Sequence, residues 1–156
     1  MEKVEQSSAP AMTAPKSVYI IGVLALLWNA VGCYDYLMTR MRDTDYLAKM
    51  MPTVDPNAML AWIDGFPVWA QFGWGLGVWG GLIGAVLLLA RSRWAVLALG
   101  LSLGGAVLGL GYQIVAAPPL AGAEGVMVEA MPYVIILIAL ALFLYARAMR
   151  AKGVLR

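Results

Sequence analysis

Four long apolar runs, at residues 18–38, 68–90, 94–116 and 132–149, dominate the pattern of this chain. At about 1.5 Å of rise per residue, each is long enough to cross a hydrocarbon core of roughly 30 Å as a helix. The pattern predicts an all-α, polytopic membrane protein built as a four-transmembrane-helix bundle. Arg91-Ser92-Arg93 makes a tight polar turn between the second and third spans. Residues 117–131 form a loop broken by Pro118, Pro119 and Gly122, and Pro132 is expected to start the fourth span.

Residues 39–67 are far longer than a usual helix–helix connection and so are expected to carry structure of their own. Asp55-Pro56 offers an N-cap followed by proline at the first helical position, and Gly65 offers a stop. Between them Met59, Leu60, Trp62 and Ile63 fall on one side, the pattern of a short helix lying in the interface. Tyr46, Leu47, Met50 and Met51, ahead of Pro52, suggest a second such turn. The segment reads as an extracytoplasmic cap over one mouth of the bundle. Residues 1–17 read as a disordered cytoplasmic tail, and residues 150–156 as a basic one.

The polar positions inside the spans are few and lie at related depths. Asp35, Gln71 and Gln113 each fall three residues from the cap-side end of a span, about 5 Å below that interface. Tyr36, Tyr112 and Tyr133 lie near the same level, and Asn29 sits about 9 Å deeper than Asp35. Trp28, Gly32 and Asp35 share one face of the first span and Asn29, Gly32 and Tyr36 the adjoining one, which makes Gly32 the mark of the packed side. Asn29, Asp35, Tyr36, Gln71, Tyr112 and Gln113 are therefore the candidate lining of a polar pocket. Aromatic rings beside amides and a carboxylate suit a neutral polyhydroxylated solute or a cation. The plainer alternative is that these groups satisfy one another near the headgroups, where polarity costs little.

Glycines mark candidate packing faces. Gly73, Gly77 and Gly81 recur every four residues in the second span, and the third carries Gly100, Gly104, Gly105, Gly109 and Gly111. Small residues at that spacing let helices approach closely where lipid gives no hydrophobic reward for association. With Gly32, the positions singled out for helix packing are Gly73, Gly77, Gly81, Gly100 and Gly104. The same stripe also allows a homodimer face.

Composition sharpens the class. Of 156 residues, 62% are hydrophobic and 13% charged, too much apolar surface for so small a globule to hide from water. The chain has no His and one Cys, which leaves no imidazole or thiolate metal cluster and no histidine base. No Ser, Thr or Cys has a base partner in the pattern, so neither an enzyme nor a cofactor is expected. A net charge of +2, dispersed along the chain, does not suggest nucleic acid as a partner. Lys3, Lys16, Arg91, Arg93, Arg147, Arg150, Lys152 and Arg156 fall on one side of the spans, against Arg40, Arg42 and Lys49 on the other. That bias places both termini in the cytoplasm. Ala30-Val31-Gly32-Cys33 has the look of a lipoprotein cleavage box, but the apolar run continues past Cys33 and favours an uncleaved helix.

Leu27-Trp28-Asn29, Tyr34-Asp35-Tyr36, Phe66-Pro67-Val68-Trp69-Ala70, the turn from Leu89 through Arg91-Ser92-Arg93-Trp94 to Val96, and Ala151-Lys152-Gly153 carry a likeness. Together they resemble a family of small four-helix inner-membrane proteins of alphaproteobacteria, some labelled sugar transporters. The resemblance spans nearly the whole chain after the N-terminal tail. It implies a bacterial inner-membrane location and suggests a carrier for a small polar solute. The alternative is a non-catalytic accessory or assembly subunit. The expected partners are the lipid bilayer, a further copy of the chain or a larger membrane complex, and the solute itself.

Overall fold

A computed structural model describes residues 15–156; the N-terminal tail expected to be disordered lies largely outside the described residues. All regular structure among them is helical. The elements are α1 (Lys16–Arg40), α2 (Thr44–Met50), α3 (Pro56–Asp64), α4 (Val68–Leu89), α5 (Ala95–Val115) and α6 (Val126–Ala151). Of these, α1, α4, α5 and α6 are long and apolar enough to cross a membrane.

The cap helices form where local chemistry directs. Asp43 caps α2 by accepting from the Tyr46 N–H at 2.9 Å, and Asp55 caps α3 by accepting from the Ala58 N–H at 2.8 Å, with Pro56 at the first helical position. Two bonds tie the cap to the α5–α6 loop. The Trp62 indole N–H donates to the Pro118 carbonyl at 2.7 Å, and the Thr53 hydroxyl donates to the Gly122 carbonyl at 2.7 Å.

The helix stops are less conventional. At the end of α4 the Ser92 N–H reaches the Leu87 carbonyl and the Arg91 N–H the Leu88 carbonyl, a Schellman pattern with Arg91 left-handed at φ 56°. Arg42 does the same after α1 at φ 59°, and Gly153 after α6 at φ 70°. In two of the three, arginine holds a position that glycine usually takes.

The long helices stand in a row. α1 packs on α4, α4 on α5 and α5 on α6, while α1 and α6 scarcely touch. The α4–α5 seam is the tightest. A Cβ on Gly73 would meet Gly109 N at 2.9 Å, one on Gly77 would meet Ala106 N at 3.0 Å, and one on Gly105 would meet the Gly73 carbonyl oxygen at 2.6 Å. Backbone thus lies on backbone, and the Gly73–Gly77 stripe is occupied within one chain.

Two boundaries depart from expectation. The fourth span begins at Val126, so Pro132 lies inside α6 and is buried. Residues 126–131 contain no helix breaker and continue the helix past the one donor that proline removes, a bond otherwise owed to the Val128 carbonyl. The basic tail also does not trail away. Val154 and Leu155, 2% and 4% exposed, enter a core with Val18, Leu88, Ala95, Leu99, Ala146 and Met149. The Arg156 N–H donates to the Arg91 carbonyl and the Arg93 N–H to the Arg156 carbonyl, both at 2.8 Å. An apolar pair inside the tail drives this burial; its charges alone hide it.

Candidate functional site

The row of helices leaves a cleft where α1 and α6 fail to meet. Its volume is about 600 Å³. Trp28, Asn29, Val31, Gly32, Tyr34 and Asp35 line it from α1, and Met131, Ile135, Ile138, Ala139 and Leu142 from α6. Its floor is the α4–α5 seam, with Trp74, Gly77, Val78 and Gly81 from α4 and Leu99, Ser102, Ala106 and Leu110 from α5. Tyr46 and Met50 of α2 roof the cap end. The opposite end is closed by the core beneath Leu99 and by the Tyr145 hydroxyl, 3.0 Å from the Ser17 hydroxyl, which joins α6 to α1.

Polar groups occupy two levels of this cleft. At the cap end the Tyr46 hydroxyl donates to the Asp35 carboxylate at 3.0 Å, and the Tyr46 ring meets Tyr34 edge-on at 5.4 Å. Burial, then the Asp35 charge and the hydrogen bond to it, push the Tyr46 phenol up to about 12. Deeper, the Asn29 amide N–H donates back to the Ala25 carbonyl at 2.8 Å, and its oxygen faces Gly81 so closely that no Cβ fits there. Beside it the Ser102 hydroxyl donates to the Gly77 carbonyl at 2.6 Å. Everything else lining the cleft is apolar or aromatic.

The six candidate pocket residues therefore separate. Asn29 and Asp35 line the cleft and Gln71, Tyr36, Tyr112 and Gln113 do not. Gln71 braces the cap, donating to the Phe66 carbonyl at 2.9 Å and accepting from Arg40 at 3.1 Å. Tyr36 packs against Trp74 at 4.8 Å. Tyr112 joins an aromatic cluster with Phe66 at 4.9 Å and Trp69 at 5.5 Å. Gln113 is half-buried on α5, and none of its side-chain atoms takes part in a hydrogen bond among the described residues. Shared depth grouped these side chains, but their directions around the helix axes differ.

The glycines separate too. Gly73, Gly77 and Gly81 face close neighbours, and a Cβ on Gly100 would meet Phe143 of α6 at 3.2 Å. Gly32 and Gly104 have no such neighbour: nothing lies within 4 Å of a Cβ built on either. Gly32 opens into the cleft, whereas Gly104 faces outward. Cys33 is buried, its thiol 3.7 Å from the Val78 carbonyl, and α1 runs on unbroken to Arg40. Cleavage there would remove Val18, Gly22 and Ala25 from the packed interior.

Ser102 and Tyr46 were the residues that sequence reasoning did not place in the site. Ser102 had a signal, being the one Ser or Thr in the third span. Tyr46 had only its place in the expected second turn of the cap, and folding of that cap brings it over Asp35. Among the described residues no group of three or more His, Cys, Asp or Glu side chains could hold a metal ion. Comparison with protein-family models, with curated proteins and with solved structures finds no match to this chain.

Proposed function

We propose that this multi-pass membrane protein binds and carries a small amphiphile, which enters the cleft between α1 and α6 from the surrounding bilayer. The observation that carries the reading is the distribution of polarity: Asp35 and Tyr46 at the cap end, Asn29 and Ser102 below, and apolar walls elsewhere. Such walls accept an apolar body of fitting size, and the few polar groups fix the position of its head. A free sugar would bring a hydroxyl on almost every carbon to walls that answer at a few points only, so the polar-solute expectation becomes one of an amphiphile. We place the termini in the cytoplasm on the charge bias, since Lys16, Arg91, Arg93, Arg147, Arg150, Lys152 and Arg156 all gather at the end opposite the cap.

Gly32 supplies the test. It lines the cleft with open space before it, so Gly32→Phe fills the cleft without displacing a packed neighbour. Native mass spectrometry of the protein released from its own membrane is expected to show a small bound mass on the wild type and none on Gly32→Phe. No bound mass on the wild type, or the same mass on both, sinks the reading. Stoichiometric foreign chains instead of a small mass would support the accessory-subunit alternative.

A further inference from the structure

We infer that the amphiphile is an organic monocation, its ammonium group held at Asp35 and its apolar body laid along α6; this rests on the proposed binding role of the cleft. Asp35 is the single carboxylate in the lining, and no Lys or Arg side chain lines the cleft with it. The one ion pair among the described residues, Arg42 with Asp64 at 3.0 Å, lies outside. The Tyr46 hydroxyl satisfies one lone pair of the Asp35 carboxylate and leaves acceptor capacity facing the cleft. A carboxylate drawn out of bulk water without a counter-ion gains most from a cation that arrives with its own apolar surroundings.

The rings around it select in the same direction. Trp28, Tyr34, Tyr46 and Trp74 all line the cleft, and the faces of such rings carry negative potential that attracts an ammonium group. An anionic head meets repulsion from Asp35 and from those faces. A neutral head of the same shape keeps the burial and loses the charge attraction. One carboxylate sets the charge at one, and about 600 Å³ bounds the body.

The experiment uses the full chain in discs of zwitterionic lipid, with empty discs subtracted. The probes are dodecyltrimethylammonium and its uncharged carbon isostere bearing a 3,3-dimethylbutyl head. The cation is expected to bind the wild type about tenfold more tightly than the isostere. Asp35→Asn is expected to bring the two together, and Asp35→Glu to keep them apart. Equal binding of both probes to the wild type, which needs no variant to fold, overturns the monocation and leaves the amphiphile site standing. A preference for the cation that survives Asp35→Asn overturns Asp35 as the seat of the ammonium group. Failure of both probes to bind overturns the site along with its specificity.

Discussion

Tyr46 belongs to the cap, yet its hydroxyl is committed to Asp35 in the first long helix, 3.0 Å away. That bond, with the Tyr46 ring set against Tyr34 and Leu47 buried, fastens α2 over the cleft. Because its phenol is raised from the ordinary 10 to about 12, the folded state holds this proton more tightly than the unfolded chain does. The resulting stability is fully present below pH 10 and is lost as pH rises towards about 12. Thermal midpoints in detergent across that window are expected to fall, and Tyr46→Phe is expected to flatten the fall relative to the wild type. An unchanged alkaline slope in the variant would assign the loss to other groups. Asp35 itself was visible in the sequence as a carboxylate in an apolar run. Its partner was legible only as part of a second turn in the cap, because spacing along that turn does not say which span Tyr46 faces.

Among elements, the α4–α5 seam shows how far a sequence pattern reaches. Spacing by four singled out glycine-rich faces, but Gly104 and Gly105 are neighbours and fit a stripe equally well. Only the rotation of α5 about its axis, set by contacts with α4 and α6, decides between them. The two residues should answer substitution with opposite signs. Gly105→Ala drives a methyl against the backbone at Gly73 and Gly77 and is expected to cost about 1–3 kcal/mol. Gly104→Ala meets open space and is expected to gain up to about 1 kcal/mol from helix propensity. Thermal unfolding followed by circular dichroism separates them, and a shared sign would refute this view of the seam. The helix stops teach a similar lesson. Gly153 announces one, whereas Arg42 and Arg91 take the left-handed position without any residue that advertises it.

For the whole molecule, the spans were legible because a run of apolar residues long enough to cross a bilayer needs no partner to be recognised. Their arrangement was not. A helix that faces lipid on one side and protein on the other is apolar all round, so periodicity cannot point to its neighbours. The row α1-α4-α5-α6, and hence the cleft, followed from close approach at glycines and from the inner core. Orientation is the property that charge still governs. In a Cys33→Ala background, a cysteine at Glu124 is expected to react with a membrane-impermeant maleimide on intact cells, and one at Arg150 only after lysis. The reverse pattern would invert the protein in its membrane.

The lone thiol has a kinetic meaning of its own. Cys33 is buried where α1 meets α4, 3.7 Å from the Val78 carbonyl, so a reagent reaches it only when that seam parts. Its alkylation rate, set against that of an exposed thiol, reads out the free energy of a local opening in the intact bundle. The chain thereby carries a built-in clock for the separation of the two helices that frame one side of the cleft.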